Sequence, residues 1–204
     1  LVDSLGIVLS DQELTVHLMV HPVLGVRRDR SGRIVEIPTS DDSSRFRESW
    51  QHVQIDRIED SERLEALRRR ILRTLDDVRV AVKDWLPMKE RALEIAAALP
   101  SRPHPVPQHD IQEAKELLEW IADDNFTFLG YREYRLKRGR TEDRVEAIPE
   151  TGLGLLRSRR RRVQPTILKG DLREHARAPD LLTITKANSK STVHRSTYLD
   201  YIGV

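Results

Sequence analysis

The stretch DIQEAKELLEWIADDNFTFLGYREYRL, Asp110 to Leu136, reads as one helix followed by one strand. Asp110 is placed to cap the helix, and Glu113, three residues on, completes a capping box. Ile111, Ala114, Leu117, Leu118, Ile121 and Ala122 recur at helical spacing and define one apolar face. Asp123-Asp124-Asn125 ends the pattern, and asparagine tolerates the left-handed conformation common at helix ends. Phe126 to Tyr131 is apolar or β-favouring at nearly every position, so a strand covered on both faces is expected to start there. The charged residues after Tyr131 bring it out into water. The apolar helix face is expected to lie on the sheet that contains Phe126 to Tyr134.

Outward from this unit the pattern alternates between helices and strands. Leu1 to Gln12 is a helix with Leu1, Val2, Leu5, Val8 and Leu9 on its apolar side. Leu14 to Arg27 is strand-like, with Pro22 forcing a bulge or an edge position. Asp29 to Gly32 is a turn, Arg33 to Ile37 a short return strand, and Pro38 to Arg47 a polar loop. Ser49 to Asp56 alternates again. Asp60 or Ser61 caps a long helix whose seam runs through Leu64, Leu67, Ile71, Leu75, Val78, Val82 and Trp85. Pro87 is expected to break or kink it, with a second helix running to Leu99. Pro100 to Pro107 carries four prolines in eight residues and is the best candidate linker. Lys137 to Asp143 is a hairpin loop, Arg144 to Ile148 its return strand, and Leu181 to Thr185 and Tyr198 to Val204 are further strands. The fold class is α+β, with ferredoxin-like βαββαβ modules of antiparallel sheet, helices on one face, and additional helices. The expected division is a module over 1–99 lacking its first strand, a linker over 100–109, and a second α+β module over 110–204, incomplete at its C-terminus. Both ends read as cut from a longer polypeptide.

The composition excludes several function classes. Thirty-five basic residues nearly cancel 33 acidic ones, leaving a formal charge of +2. A general attraction for nucleic acid or anionic lipid is therefore not implied. Cysteine is absent, which removes disulfides and thiolate metal sites and makes a cytoplasmic protein the default. No apolar run reaches membrane-spanning length. His17 and His21 stand in a strand pattern, where four residues span roughly 13 Å and cannot share a metal. Gly152-x-Gly154 lacks a third glycine and opens no helix after a strand, so it is not a dinucleotide fingerprint. No catalytic residue, metal site or cofactor site is assigned within the chain.

Two clusters remain. Arg157 to Arg162 contains five arginines without interleaved aromatics, which suits a solvated loop or a patch facing an acidic neighbour better than a nucleic-acid surface. Lys186 to Arg195 is the densest polar stretch. Lys186, Asn188, Ser189, His194 and Arg195 combine cations with neutral donors and suit a carboxylate or phosphate group. The competing reading is a loop whose side chains cap its own backbone.

Four groups of segments, in order across nearly the whole chain, resemble the N-terminal regulatory region of the large bacterial NAD-specific glutamate dehydrogenases. They are Leu1-Val2-Asp3-Ser4-Leu5 with Val20-His21-Pro22-Val23; Glu48 to Arg57; Asp76-Asp77-Val78-Arg79 with Val82-Lys83-Asp84-Trp85; and Trp120 to Tyr134 with Ser191 to Arg195 and Tyr198 to Val204. Gln51 and Gln54 stand where methionine and glutamate are expected. The resemblance implies ACT-like modules in a longer enzyme that oxidises L-glutamate with NAD, whose catalytic and nucleotide-binding parts lie outside this chain. It implies partners among the other domains and subunits of that enzyme, a homo-oligomer, and an amino-acid effector, with neither nucleic acid nor membrane as a partner. ACT modules take their ligand near the loop before the first helix, so Asp3 and Ser4 are the nearest positions here. Two rival readings stay open: a stand-alone amino-acid-sensing or scaffold module, and a polynucleotide-binding module working through the arginine run.

Overall fold

The computed structural model describes residues 1–37, 47–101, 103, 105–157 and 164–204. The expected loop over 38–46 and the arginines at 159–162 lie outside the described residues. By compactness the chain divides between Leu72 and Arg73, inside the long helix rather than at the proline-rich segment. Each unit is taken by itself.

The first unit begins with helix α1 (Val2–Ser10) and six short strands: β1 (Val16–Val20), β2 (Val23–Gly25), β3 (Arg27–Arg28), β4 (Ile34–Glu36), β5 (Arg47–Ser49) and β6 (His52–Ile55). All pair antiparallel. β1 lies on β6 from Val16 opposite Ile55 to Val20 opposite His52, β2 on β5, and β3 on β4. Pro22 has no N–H and separates β1 from β2, as its chemistry requires. The ladder is bridged there by the Trp50 N–H donating to the Pro22 carbonyl at 2.9 Å. The turn before β4 forms as expected: the Asp29 carboxylate accepts from the Ser31 and Arg33 N–H groups, and Gly32 supplies a φ of 83°.

Helix α2 (Ser61–Ala98) starts in this unit. Asp60 is its cap, accepting from the Glu62 N–H at 2.8 Å. Val8, Leu9, Leu14 and Leu67 form the core, with Val53, Ile55, Ile58 and Ile71 against it, so the helices cover one face of the β1–β6 ribbon. The opposite face carries Leu18 and Val20, 44% and 45% exposed.

Pro87 does not interrupt α2, which runs 38 residues through it. The lost hydrogen bond and ring clash cost about 3 kcal/mol. In the second unit Ala81, Met88, Ala92 and Ala96 are all buried along this helix, and that packing outweighs the cost. The expected seam is likewise displaced. Leu67 is buried, but Val82 and Trp85 are 71% and 42% exposed, and the buried stripe beyond residue 80 runs instead through Ala81, Asp84, Met88, Ala92, Ala96 and Leu99.

Helix α3 (Gln108–Trp120) begins three residues earlier than expected, with Pro107 rather than Asp110 at the cap position and no side-chain cap bond. Asp110 lies inside the first turn, where its charge complements the helix dipole, and its carboxylate meets the His109 ring at 3.1 Å. A wide turn over Ile121–Asn125 closes the helix. Its left-handed residue is Asp124 rather than Asn125, while the Asn125 side chain donates to the Trp120 and Asp123 carbonyls. The apolar face is the expected one, but it packs elsewhere. Ile111, Ala114 and Leu118 meet Ala96 and Leu99 at the end of α2, with Ile95, Val106, Leu181 and Leu182 around them. Leu99, just before the proline-rich segment, thus belongs to the core of this unit, and Val106, within the segment, packs against it. Phe126 to Leu129 is not a strand covered on both sides. Phe126 and Phe128 are half-buried in an edge-on pair 6.0 Å apart, and Thr127 points to solvent.

Pairing begins only at β7 (Gly130–Tyr131), which lies on β10 (Leu153–Gly154). A three-stranded sheet has β9 (Asp143–Ala147) between β8 (Tyr134–Lys137) and β11 (Thr166–Leu168). The short helix α4 (Gly170–His175) follows, and β12 (Thr183–Lys190) and β13 (Tyr198–Gly203) close a hairpin. The described chain is thus α+β, built from helices and small antiparallel sheets.

Candidate functional site

The polar stretch singled out in the sequence lies in the second unit and is strand over its first half, Lys186 to Lys190, and a turn-rich connection over its second. Thr183 to Lys186 pair in regular register with Gly203 to Asp200, and the next paired residues are Lys190 and Tyr198. Four steps on β12 therefore match two on β13, and Ala187, Asn188 and Ser189 bulge out of the ladder. Lys186 is held by Asp200, with Nζ 2.5 Å from Oδ1. Lys190 lies 5.9 Å from the centre of the Tyr198 ring. Asn188 and Ser189 are exposed on the bulge.

The connection to β13 is closed by its own hydrogen bonds. Ser191 is buried; its Oγ donates to the Val193 carbonyl at 2.6 Å and accepts from the Val193 N–H at 3.2 Å. The Arg195 N–H donates to the Val193 carbonyl at 2.9 Å across His194, whose φ is 69°. That three-residue turn aims His194 and Arg195 outward, and both are exposed. Thr192 Oγ1 donates to the Asp77 carboxylate on α2 at 3.0 Å. The hydroxyls of Ser191 and Thr192 therefore serve the fold, and the outward groups are Asn188, Ser189, His194 and Arg195. Asp3 and Ser4 belong to the first unit. Asp3 is exposed in the first turn of α1, and Ser4 is buried on its inner side.

Sequence reasoning missed two buried carboxylates in the second unit. Asp84, on α2, is 1% exposed. It accepts from the Gly154 N–H at 2.8 Å and from both Nε and Nη2 of Arg157. The Arg157 hydrogen bonds, and then that of Gly154, hold its carboxyl below the usual range against the opposing effect of burial. Arg157 is the only member of the arginine run among the described residues, and it is spent on this contact. Gly154 has a φ of 56°, and a Cβ there would stand 2.4 Å from the Leu129 carbonyl oxygen. The Gly152-x-Gly154 pair is accordingly a packing device.

Asp143 is fully buried at the start of β9. Arg177 grips it with Nε at 2.6 Å and Nη2 at 2.7 Å, Arg173 approaches at 3.3 Å, and the Gly139 N–H donates at 3.0 Å. Arg177 foremost holds this carboxyl well below the usual carboxylate range. Arg173 and Arg177 also donate to the Gly139 carbonyl, so this cluster ties the β8–β9 turn to α4. Both clusters are fully paired and structural. Among the described residues no three or more His, Cys, Asp or Glu side chains gather as a metal site. No described helix is long and apolar enough to cross a membrane.

Residues 1–71 match the family model for the glutamate dehydrogenase ACT1 domain. The whole chain aligns over 212 positions, at 34% identity, with the NAD-specific glutamate dehydrogenases of Halomonas elongata and Pseudomonas aeruginosa. The corresponding protein of Mycobacterium tuberculosis is 28% identical over 162 positions, which cover 78% of this chain. The chain spans 13% of the length of the first two relatives and the match to the third 10% of its length. The first 71 residues are thus similar to the glutamate dehydrogenase ACT1 domain, and the chain as a whole is similar to the N-terminal region of the large NAD-specific glutamate dehydrogenases.

Proposed function

We propose that this chain is the non-catalytic regulatory and assembly segment of a cytoplasmic, homo-oligomeric NAD-dependent glutamate dehydrogenase. The intact enzyme converts L-glutamate, NAD and water to 2-oxoglutarate, ammonia and NADH. The observation that carries this reading is similarity along the full chain to one stretch of much longer enzymes with that specificity in their names. The geometry is in keeping with it. The glycine pair that most resembles a phosphate cradle is consumed by packing, Gly152 against Leu156 and Gly154 against Leu129 with its N–H on Asp84, and the buried carboxylates are neutralised by arginines rather than poised for proton transfer. The purified chain should therefore give no glutamate-dependent NAD reduction, followed at the NADH absorbance. Turnover would overturn the reading.

The regulatory part of the proposal is an amino-acid effector bound through its carboxylate. In the second unit the partners of that carboxylate are Lys186, Asn188, Ser189, His194 and Arg195; in the first, Asp3 and Ser4 are the positions nearest an effector, and Asp3 suits its ammonium group rather than its carboxylate. The assembly part rests on exposed apolar faces. Leu18 and Val20 lie uncovered on the outer side of the β1–β6 ribbon in the first unit, and Val82, Trp85 and Leu86 on α2 in the second. We expect other domains or subunits of the enzyme to cover them. The isolated chain should then self-associate, its weight-average mass rising through a concentration series in sedimentation equilibrium. A monomer of 23.7 kDa at every concentration would remove assembly from the proposal.

A further inference from the structure

No further inference is drawn: the strongest candidate, the cleft of about 350 Å³ between the start of α3 and the Pro179–Leu182 segment of the second unit, is a cluster of three carboxylates at a helix N-terminus, two of which (Asp110 and Glu113) already face His109, and nothing in the structure shows what would fill it.

Discussion

Replacing Asp84 by alanine should destabilise the second unit by roughly 3 kcal/mol, because it breaks a buried ion pair from its better-buried side. The carboxylate serves two donors on one segment, the Gly154 N–H and the Arg157 guanidinium. Without it the Gly154 N–H is left unpaired at a buried position. The Arg157 side chain is 46% exposed and recovers part of its hydration, which keeps the loss near the lower end of the range for buried pairs. The change should lower the midpoint of thermal unfolding by about 10 °C. Asp84→Asn retains an acceptor for Gly154 but turns an amide toward Arg157, so it should fall between wild type and alanine. The pH dependence has a definite sign. The folded carboxyl titrates below its ordinary value, so its contribution is complete above about pH 4 and fades as pH falls below that. The difference between wild type and Asp84→Asn should therefore narrow on acidification. A difference that widens, or a loss of only a few tenths of a kcal/mol at pH 7, would mean that the contact adds little to stability.

That contact also shows where sequence reading stopped. Hydropathy placed the seam of α2 on Val78, Val82 and Trp85 because these are large. The structure buries Ala81, Asp84, Ala92 and Ala96 instead. Small residues admit close approach of a neighbouring element, and a charged residue can be interior when its partner lies 73 residues away. Neither property has a periodic signature. The same is true of Asp143, whose arginines arrive 30 and 34 residues later, from α4 and from the turn just after it. Local signals fared better. Alternation and turn chemistry located the Asp29–Gly32 turn, the hairpin after Tyr134 and the strand at Tyr198, since register and turn residues are short-range properties. The polar run from Lys186 to Lys190 reads as loop because nothing in it is apolar except the small Ala187. It is strand because Asp200 and Tyr198 across the ladder pair with its lysines. For the candidate site, sequence supplies residue types only. Which hydroxyls are consumed by the backbone is not legible there, because that depends on the turn at His194.

Helix α3 gives the second large effect, and it separates what periodicity specifies from what it leaves open. The 3.6-residue pattern identified a buried face correctly but could not name its partner, because an apolar stripe fits a sheet and a helix equally well. In the structure Leu118 is 5% exposed among Ala96, Leu99, Ile111 and Ala114. Leu118→Ala should cost about 3–4 kcal/mol, the upper part of the usual range for deleting a buried leucine. Two of its neighbours, Ala96 and Ala114, have no side chain that can swing into the space, so the cavity collapses poorly. Leu117, one position round the helix, is only half-buried, and Leu117→Ala should cost about 1 kcal/mol. The two variants, compared by urea unfolding, test the orientation of the helix as well as its burial. Because Leu118 packs on α2 rather than on the strands after Phe126, Leu118→Ala combined with Ala96→Gly should be non-additive, whereas Leu118→Ala combined with Phe128→Ala should add. A larger loss at Leu117 than at Leu118, or coupling to Phe128 and not to Ala96, would restore the packing on the Phe126 to Tyr134 segment that the sequence alone suggested.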